Sequence, residues 1–297
     1  MWQTVQSWQA DKAPRLGAAL AYYTLFAMSP VLLVVIAIAG LVFGPEAVRG
    51  EIVGQIDQLI GRQGAETVQR MLEYAYRPRQ GRLATIVAGV TFALAVTGAF
   101  LELQAALNTV WRVKPAPRPG IDVLDFFRRR LRSFALVATI AFLLMVSLVV
   151  SAGLSALATW LGRRAPALPT LLQIANQLVS LGIITALFAA LYRMLPDVKL
   201  RWRNVLVGAF VTAVLFTIGK YLIGLYLGRS AITSAYGAAA SVVVLMIWVY
   251  YTAQIVLLGA EFTRVYSEHH RTMPEPEHFA TDDPEASVVS PEPKPTA

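Results

Sequence analysis

One stretch of the chain constrains its fold more than any other, because residues 18–43 contain no charged side chain. A helix of this length rises about 39 Å, which exceeds the roughly 30 Å thickness of the hydrocarbon core of a bilayer. Part of the stretch, residues 20–34, reads LAYYTLFAMSPVLLV. We therefore predict a membrane-spanning helix here.

A secretory signal is the alternative interpretation of this stretch, since Ala37-Ile38-Ala39 resembles a cleavage site. The apolar run is longer than the roughly 7–15 residues of such a signal, and residues 2–10 do not form a basic leader. We expect the segment to be retained as a span.

Five further apolar runs have the length of a spanning helix. They cover residues 83–107, 133–161, 172–195, 204–227 and 237–263 approximately. Only 15% of all residues are charged, against about a quarter in soluble domains. The pattern predicts an all-α polytopic membrane protein with six transmembrane helices, forming one membrane domain over residues 1–271, with short amphipathic interfacial helices.

The distribution of basic residues predicts the orientation of these spans. With six spans both termini share a side, and the segments on that side hold 16 of the Lys and Arg residues, against 9 in the opposite loops. Cytoplasmic loops carry the excess of positive charge. We expect a bacterial cytoplasmic-membrane protein with both termini in the cytoplasm.

Two segments outside the spans have amphipathic helical patterns. Trp2, Val5 and Trp8 recur every three residues, which is typical of a short interfacial helix anchored by indole rings. Residues 46–76 contain two apolar repeats separated by Gly61-Arg62-Gln63-Gly64, and they predict a helical hairpin on the outer face.

Two charged segments outside the spans are predicted to have different structures. Residues 122–133 predict a cytoplasmic surface helix in which Arg128, Arg129, Arg130 and Arg132 contact anionic lipid headgroups, although these arginines are equally explained as topology determinants. Residues 272–297 hold six acids and six prolines, and we expect a disordered acidic cytoplasmic tail.

Polar side chains within the spans indicate where the bundle interior lies, because such groups are costly in lipid. Near the outer side, Asn176 and Gln177 on the fourth span lie at a depth similar to that of Lys220 on the fifth. One buried cation among neutral hydrogen-bonding groups is a candidate substrate contact. The alternative is that Lys220 snorkels to the interface.

A second, acidic group is predicted near the inner side. Tyr250, Gln254 and Glu261 form a stripe along the sixth span, and Glu102 ends a small-residue face on the second. A substrate or proton relay is the functional interpretation. The structural alternative is an ion pair of either carboxylate with Arg112 or Arg193.

The first span carries a predicted irregularity. Pro30 lacks an N–H and crowds the preceding turn, so we expect a kink that Ser29 helps to satisfy and that opens toward the interior on the face of Tyr22. This kink either lines a substrate path or serves packing. Gly224-x-x-x-Gly228 and Gly237-x-x-x-Ser241 predict close helix approach.

Three stretches carry a family resemblance: residues 20–34 quoted above, LNTVWRV at 107–113, and SAYGAAASVVVLMIWVYYTAQIVLLGAEFTRVY at 234–266. Together they resemble the YihY / virulence factor BrkB family of bacterial inner-membrane proteins, over roughly residues 10–268. The family was once labelled ribonuclease BN, a label widely considered a misassignment. The resemblance implies a multi-pass membrane protein, with transport or lipid-related roles suspected for the family.

The residue content argues against an enzyme. The chain has no cysteine, and its three histidines (His269, His270 and His278) lie at or beyond the end of the last span. No hydrolase, metal or nucleotide motif is present. We expect no catalytic residues, no metal, no cofactor and no specific nucleic acid partner.

Two functional hypotheses follow. The first is a transporter or flippase-like carrier of an anionic or amphipathic, lipid-like substrate, since residues 1–271 carry a net charge of +13 and anionic lipids attract such a surface. The second is a non-transporting membrane scaffold or envelope-assembly factor that binds an envelope protein through residues 46–76.

Overall fold

The computed structural model of the chain is mainly helical. It describes residues 2–44, 46, 49–50, 52–54, 65–66, 68–70, 72–73, 97–115, 168–229, 240–270, 275–276 and 280–282. The helices are α1 (Trp2–Ala10), α2 (Ala13–Phe43), α3 (residues 97–110), α4 (Leu168–Met194), α5 (Trp202–Arg229) and α6 (Ala240–His269). Four short strands follow helices: β1 (Val113–Pro115), β2 (Val198–Lys199), β3 (Glu275–Pro276) and β4 (Ala280–Asp282).

Three of the described helices contain a segment long and apolar enough to cross a membrane: Gln173–Met194, Trp202–Tyr226 and Val242–His269. They coincide with the fourth, fifth and sixth predicted spans. The 31-residue α2 covers the first predicted span and continues as one helix through position 30. The second span is described only from residue 97, and the third lies outside the described residues, so the count of six stays a prediction.

Helix α6 occupies the centre of the packing, since α1, α2 and α5 all contact it, and α4 packs against α5. The main buried core lies at the end of the bundle that carries α1, the start of α2 and the end of α6. We call this the terminal end. Leu107, Tyr192, Val205 and Leu257 are all fully buried there, from four different helices.

The outward faces of α4 and α5 remain apolar. Large side chains with about half or more of their surface exposed include Ile174, Leu178, Phe210, Ile218 and Leu222. A face of this kind on a soluble protein would be an aggregation hazard. It is the expected surface of helices in contact with lipid.

Two of the turns at the terminal end place a basic residue in the left-handed backbone region. Lys12 has φ 52° and separates α1 from α2, while Arg112 has φ 55° and separates α3 from β1. Left-handed residues commonly end helices, and Pro14 then occupies the first turn of α2, where its missing N–H costs nothing. The sharp first turn folds α1 back onto α6.

The predicted outer hairpin is described in part. The described residues on both sides of position 61 are helical, and Arg49 of the first arm forms an ion pair with Glu73 of the second at 3.3 Å. Val68 and Leu72 are fully buried against Ile36 of α2. The two arms therefore pack on the half of α2 that is remote from the terminal end; residues 55–64 lie outside the described residues.

The acidic tail is described at five residues, and these form strands, whereas the sequence predicts disorder from residue 272 onward. β3 pairs antiparallel with β2, and β4 with β1. The pairing satisfies backbone hydrogen-bonding groups of the strands. It also sets Glu275 opposite Lys199 in the β2–β3 register.

Close approach of α5 and α6 depends on glycines that the sequence patterns did not indicate. A Cβ on Gly208 of α5 would lie 1.8 Å from Thr263 Oγ1, and one on Gly259 of α6 would lie 1.9 Å from Thr212 Oγ1. Among the described residues a Cβ on Gly224 would meet nothing within 4 Å, so the packing role of Gly224 stays a prediction. Among the described residues the tight contact lies nearer the terminal end.

We predict that Gly208→Ala lowers stability by about 1–3 kcal/mol, because the added methyl overpacks the α5–α6 contact. Gly224→Ala on the same helix should raise stability by about 0.5–1 kcal/mol through helix propensity alone. The measurement is the temperature at which detergent-solubilised protein ceases to be monodisperse. Equal behaviour of the two variants would contradict the packing assignment, and Thr263→Ala should recover part of the Gly208→Ala loss.

Candidate functional site: an apolar cavity within the helix bundle

A cavity of about 350 Å³ lies between α2, α3, α4 and α6. It is lined by the following residues: Leu20, Thr24, Ala27, Met28, Leu32, Ala99, Phe100, Leu103, Leu191, Trp248, Val249, Thr252, Ala253 and Val256. On α2 the lining positions recur every three to four residues, so they form one helical face. This volume is within the range of small-ligand sites.

The cavity wall is almost wholly apolar. Its polar side-chain groups are the hydroxyls of Thr24 and Thr252 and the indole N–H of Trp248. No ionisable residue lines it. Such a wall suits a hydrocarbon chain, and it offers an isolated charge no partner.

Two packed regions bound the cavity. Leu20, Ala253 and Val256 belong both to its wall and to the buried core of the terminal end. Met28 and Leu32 belong to its wall and also pack against the cluster formed by Ile36, Val68 and Leu72. The cavity therefore lies between the terminal core and the outer hairpin.

The predicted α6 stripe runs beside the cavity and not into it. Tyr250 is 37% exposed, whereas Glu261 is completely buried. Between them, the Gln254 amide lies against α2, where a Cβ on Gly17 would come 1.9 Å from Gln254 Nε2. Both polar atoms of this amide are shielded from solvent without a hydrogen-bond partner among the described residues.

The partner predicted for Glu261 is wrong. Arg264, one turn along the same helix, donates to Glu261 Oε2 from Nε at 3.3 Å and from Nη2 at 3.1 Å, and it also pairs with Glu268. Arg193 instead donates to the Leu200 carbonyl and lies over the Trp202 ring. Glu102 is half-buried and makes no ion pair within the part of the chain that the structure describes.

The polar group predicted near the outer side, formed by Asn176, Gln177 and Lys220, is only partly buried. Asn176 is half-buried and Gln177 is exposed. Lys220 is half-buried, with its Nζ 5.1 Å from the ring centroid of Tyr221 on its own helix. None of these three residues lines the cavity.

Tyr22, near the start of α2, was predicted to face the bundle interior, but it faces outward. Tyr22 is 54% exposed and contacts the rings of Tyr23 and Phe26. Thr24 and Ala27 face the cavity instead, since two positions along a helix rotate a side chain by about 200°. The side chains of Ser29 and Pro30, and the arginines at 128, 129, 130 and 132, lie outside the described residues.

Sequence reasoning missed a buried polar network at the terminal end. Asp197 follows α4 and is 4% exposed. Its carboxylate accepts hydrogen bonds from Gln104 at 3.1 Å and from Asn108 at 2.9 Å, and its backbone N–H donates to the Asn108 side chain at 2.9 Å. This network joins α3 to the α4–β2 turn. In the sequence, the only indication of this network is Asn108, which lies within the LNTVWRV motif at 107–113.

A second missed contact joins three helices close to the cavity. The Tyr192 hydroxyl on α4 donates to the Val256 carbonyl at 2.8 Å and lies 3.0 Å from Thr212 Oγ1 on α5. Tyr192 is fully buried. It holds α4 against the cavity-lining part of α6.

The described residues contain no group of three His, Asp or Glu side chains able to hold a metal ion. The arrangement therefore offers one apolar cavity within the bundle and polar networks around its terminal end. It suits the binding of a hydrocarbon-bearing molecule.

We predict that Asn108→Leu lowers stability by about 1–3 kcal/mol, because Asp197 loses two hydrogen bonds in a buried setting. Thr109→Ala is the matched control, since that exposed hydroxyl donates only to the Ala105 carbonyl of its own helix. Its effect should stay within about 0.5 kcal/mol. The temperature at which each detergent-solubilised variant ceases to be monodisperse measures both effects. If Asn108→Leu leaves this temperature unchanged, the network does not contribute to stability.

Comparison with known proteins gives consistent matches. The model of the family described as Virulence factor BrkB matches residues 4–284. A UPF0761 membrane protein of Pseudomonas paraeruginosa is 31% identical over 252 residues, which cover 84% of this chain and 58% of that protein. The UPF0761 membrane protein YihY of Shigella boydii is 34% identical over 188 residues, 62% of this chain and 59% of that protein.

The chain thus spans just under three fifths of the length of these curated relatives. No solved structure matches it. The family model nevertheless covers almost the whole chain, and the relatives are named as membrane proteins. The chain therefore belongs to the virulence factor BrkB family and is an integral membrane protein.

Proposed function

We propose that this protein is a transporter or flippase-like carrier of an amphipathic, lipid-like molecule, whose hydrocarbon chain occupies the cavity between α2, α3, α4 and α6. The observation that carries the proposal is the cavity itself: about 350 Å³ of apolar space inside the helix bundle. In this proposal the protein is a multi-pass protein of the bacterial inner membrane, with both termini in the cytoplasm.

The apolar wall makes hydrocarbon the best-matched occupant. An acyl chain that leaves the bilayer for the cavity gains little from the hydrophobic effect, because lipid tails are as apolar as leucine. The wall therefore provides a compatible path for the chain and little selectivity. Selectivity must come from polar groups, of which Thr24, Thr252 and Trp248 lie at the cavity.

The charge of the protein favours an anionic molecule. Residues 1–271 carry a net charge of +13, and clustered Lys and Arg next to a membrane attract anionic headgroups. Lys220 is the candidate headgroup contact within a span. Its Nζ lies against the ring of Tyr221, and it would have to leave that ring to meet a headgroup.

The cavity can be tested by filling it. Ala99→Phe puts a ring into the wall, whereas Leu101→Phe puts one on the same helix at a position that is 49% exposed. We expect Ala99→Phe to reduce transbilayer movement of fluorescent phosphatidylglycerol in proteoliposomes by about tenfold, which corresponds to about 1.4 kcal/mol. Leu101→Phe should behave as the unmodified protein.

The readout is the rate at which a membrane-impermeant reductant gains access to the labelled lipid. Native mass spectrometry with lipids retained gives binding separately. If both variants and the unmodified protein bind phosphatidylglycerol but none moves it, the carrier proposal fails and the scaffold hypothesis replaces it. Equal flux in both variants would show that transport does not depend on the cavity.

A second experiment addresses the two charged candidates. We expect Lys220→Ala and Glu102→Ala to abolish lipid movement in the same proteoliposomes while expression is retained, since each removes a charge that lies within a spanning segment. Lys220→Arg is the control for Lys220, because it preserves the charge. Unchanged flux in both alanine variants would remove these residues from the substrate path.

A further inference from the structure

The apolar cavity is long and narrow. Its lining on α2 begins at Leu20 and ends at Leu32, twelve residues later, which is about 18 Å along a helix axis. Helix α2 continues without a break between these two positions. On α6 the lining extends from Trp248 to Val256, or about 12 Å. The longest dimension of the cavity is therefore about 12–18 Å.

The volume of the cavity then sets its mean width. About 350 Å³ spread over this length leaves a mean cross-section of about 20–30 Å². Carbon atoms in van der Waals contact lie about 4 Å apart, so one extended hydrocarbon chain fills a cross-section of about 16–20 Å² and two chains side by side fill about 32–40 Å². The cavity is wide enough for one chain and too narrow for two.

Packed side chains limit the cavity at both ends of its α2 lining. Leu20 belongs to the buried core of the terminal end, and Leu32 packs against the cluster formed by Ile36, Val68 and Leu72. Protein interiors are close-packed, so a chain that extends past these residues has to displace them. The end that meets the methyl terminus of a bound chain therefore sets the longest chain that fits.

The length of the cavity corresponds to a particular chain length. Carbon–carbon bonds of about 1.5 Å with nearly tetrahedral angles advance an extended chain by about 1.25 Å per carbon. A cavity about 18 Å long therefore holds about 14 carbons. No ionisable residue lines this space, so the headgroup of such a molecule lies outside it.

We infer that the cavity binds a single linear hydrocarbon chain of about 14 carbons, and that the protein selects lipids by the length of this chain. The inference rests on the proposed function, because it names the part of the cargo that the carrier recognises. A monoacyl lipid provides such a chain, and so does a diacyl lipid whose second chain stays outside the cavity. A fused-ring hydrocarbon is too wide.

Selection by length follows from the packing of the chain against a fixed wall. A shorter chain leaves part of the wall without contacts and loses their dispersion energy. A longer chain has to bend or push packed side chains aside. In the bilayer a chain of any length is surrounded by other chains, so neither cost arises there. The bound fraction should therefore have a maximum at one chain length.

The number of chains in the cavity can be counted. Native mass spectrometry of the unmodified protein, Ala99→Phe and Leu101→Phe, each with lysophosphatidylglycerol of fourteen carbons, gives the number of lipid molecules retained. We expect the unmodified protein and Leu101→Phe to retain one molecule more than Ala99→Phe, whose new ring fills the cavity. A difference of two molecules, or no difference, would overturn the inference.

The length preference is tested with an equimolar mixture of lysophosphatidylglycerols that have saturated chains of ten, twelve, fourteen, sixteen and eighteen carbons. The retained lipid should be most abundant at about fourteen carbons, and the shortest and longest chains should each be about fivefold less abundant. Ala99→Phe should show no maximum, because lipid on the outer surface of the protein has no fixed end to meet. A flat distribution in the unmodified protein would contradict selection by length.

Two further variants change the length of the cavity. Leu20→Ala and Leu32→Ala each remove three carbon atoms from one end of its α2 lining. The variant at the end that meets the methyl terminus should move the maximum to a chain about two carbons longer. The position of the maximum is read and not the amount bound, so a loss of stability does not affect the result. An unchanged maximum in both variants would overturn the assignment of length.

The source of the chain and the carrier function are tested separately. Added dimyristoyl phosphatidylglycerol should displace the lysolipid if one chain of a diacyl lipid enters the cavity, and should leave it in place if the cargo is a monoacyl lipid. A chain-length maximum without lipid movement in proteoliposomes would remove the carrier function and keep the one-chain site. Lipid movement with a flat chain-length distribution would keep the carrier and remove this inference.

Discussion

The structure depends above all on the cost of placing polar groups where water is absent. Within a bilayer each backbone and side-chain polar group must find a partner inside the protein. The buried polar side chains of the described residues accordingly concentrate at the terminal end, where Asn108 and Asp197, Asn204 and Ser267, and Glu261 and Arg264 bond in pairs. The cavity lies beyond these pairs, and its wall is almost wholly apolar.

Helix α6 connects these two regions. One face of it contributes Trp248, Thr252 and Val256 to the cavity. Gly259 allows α5 to approach closely, and Glu261 accepts hydrogen bonds from Arg264. The same helix therefore joins the cavity wall, the tight packing against α5 and the Glu261–Arg264 ion pair.

Much of the helical framework could be predicted from the sequence. Length and lack of charge located α2, α4, α5 and α6, and the motifs at 20–34, 107–113 and 234–266 indicated the family that the comparison confirms. The site was less predictable. Periodicity identifies residues that share a face, but it does not say which face meets a neighbour, so Tyr22 was assigned inward and is exposed. Similarly, Glu261 pairs with Arg264 on its own helix and not with Arg112 or Arg193, the partners predicted from the sequence.

The sequence by itself determined that the chain enters a membrane, which segments form its long helices and to which family it belongs. These properties follow from runs of side chains along the chain, and hydrophobicity acts on each run separately. Only the tertiary structure decided that α2, α3, α4 and α6 line an apolar cavity and that Asp197 is bound by α3. Each of these depends on the rotation and depth at which helices pack, which are set by contacts between residues far apart in the chain.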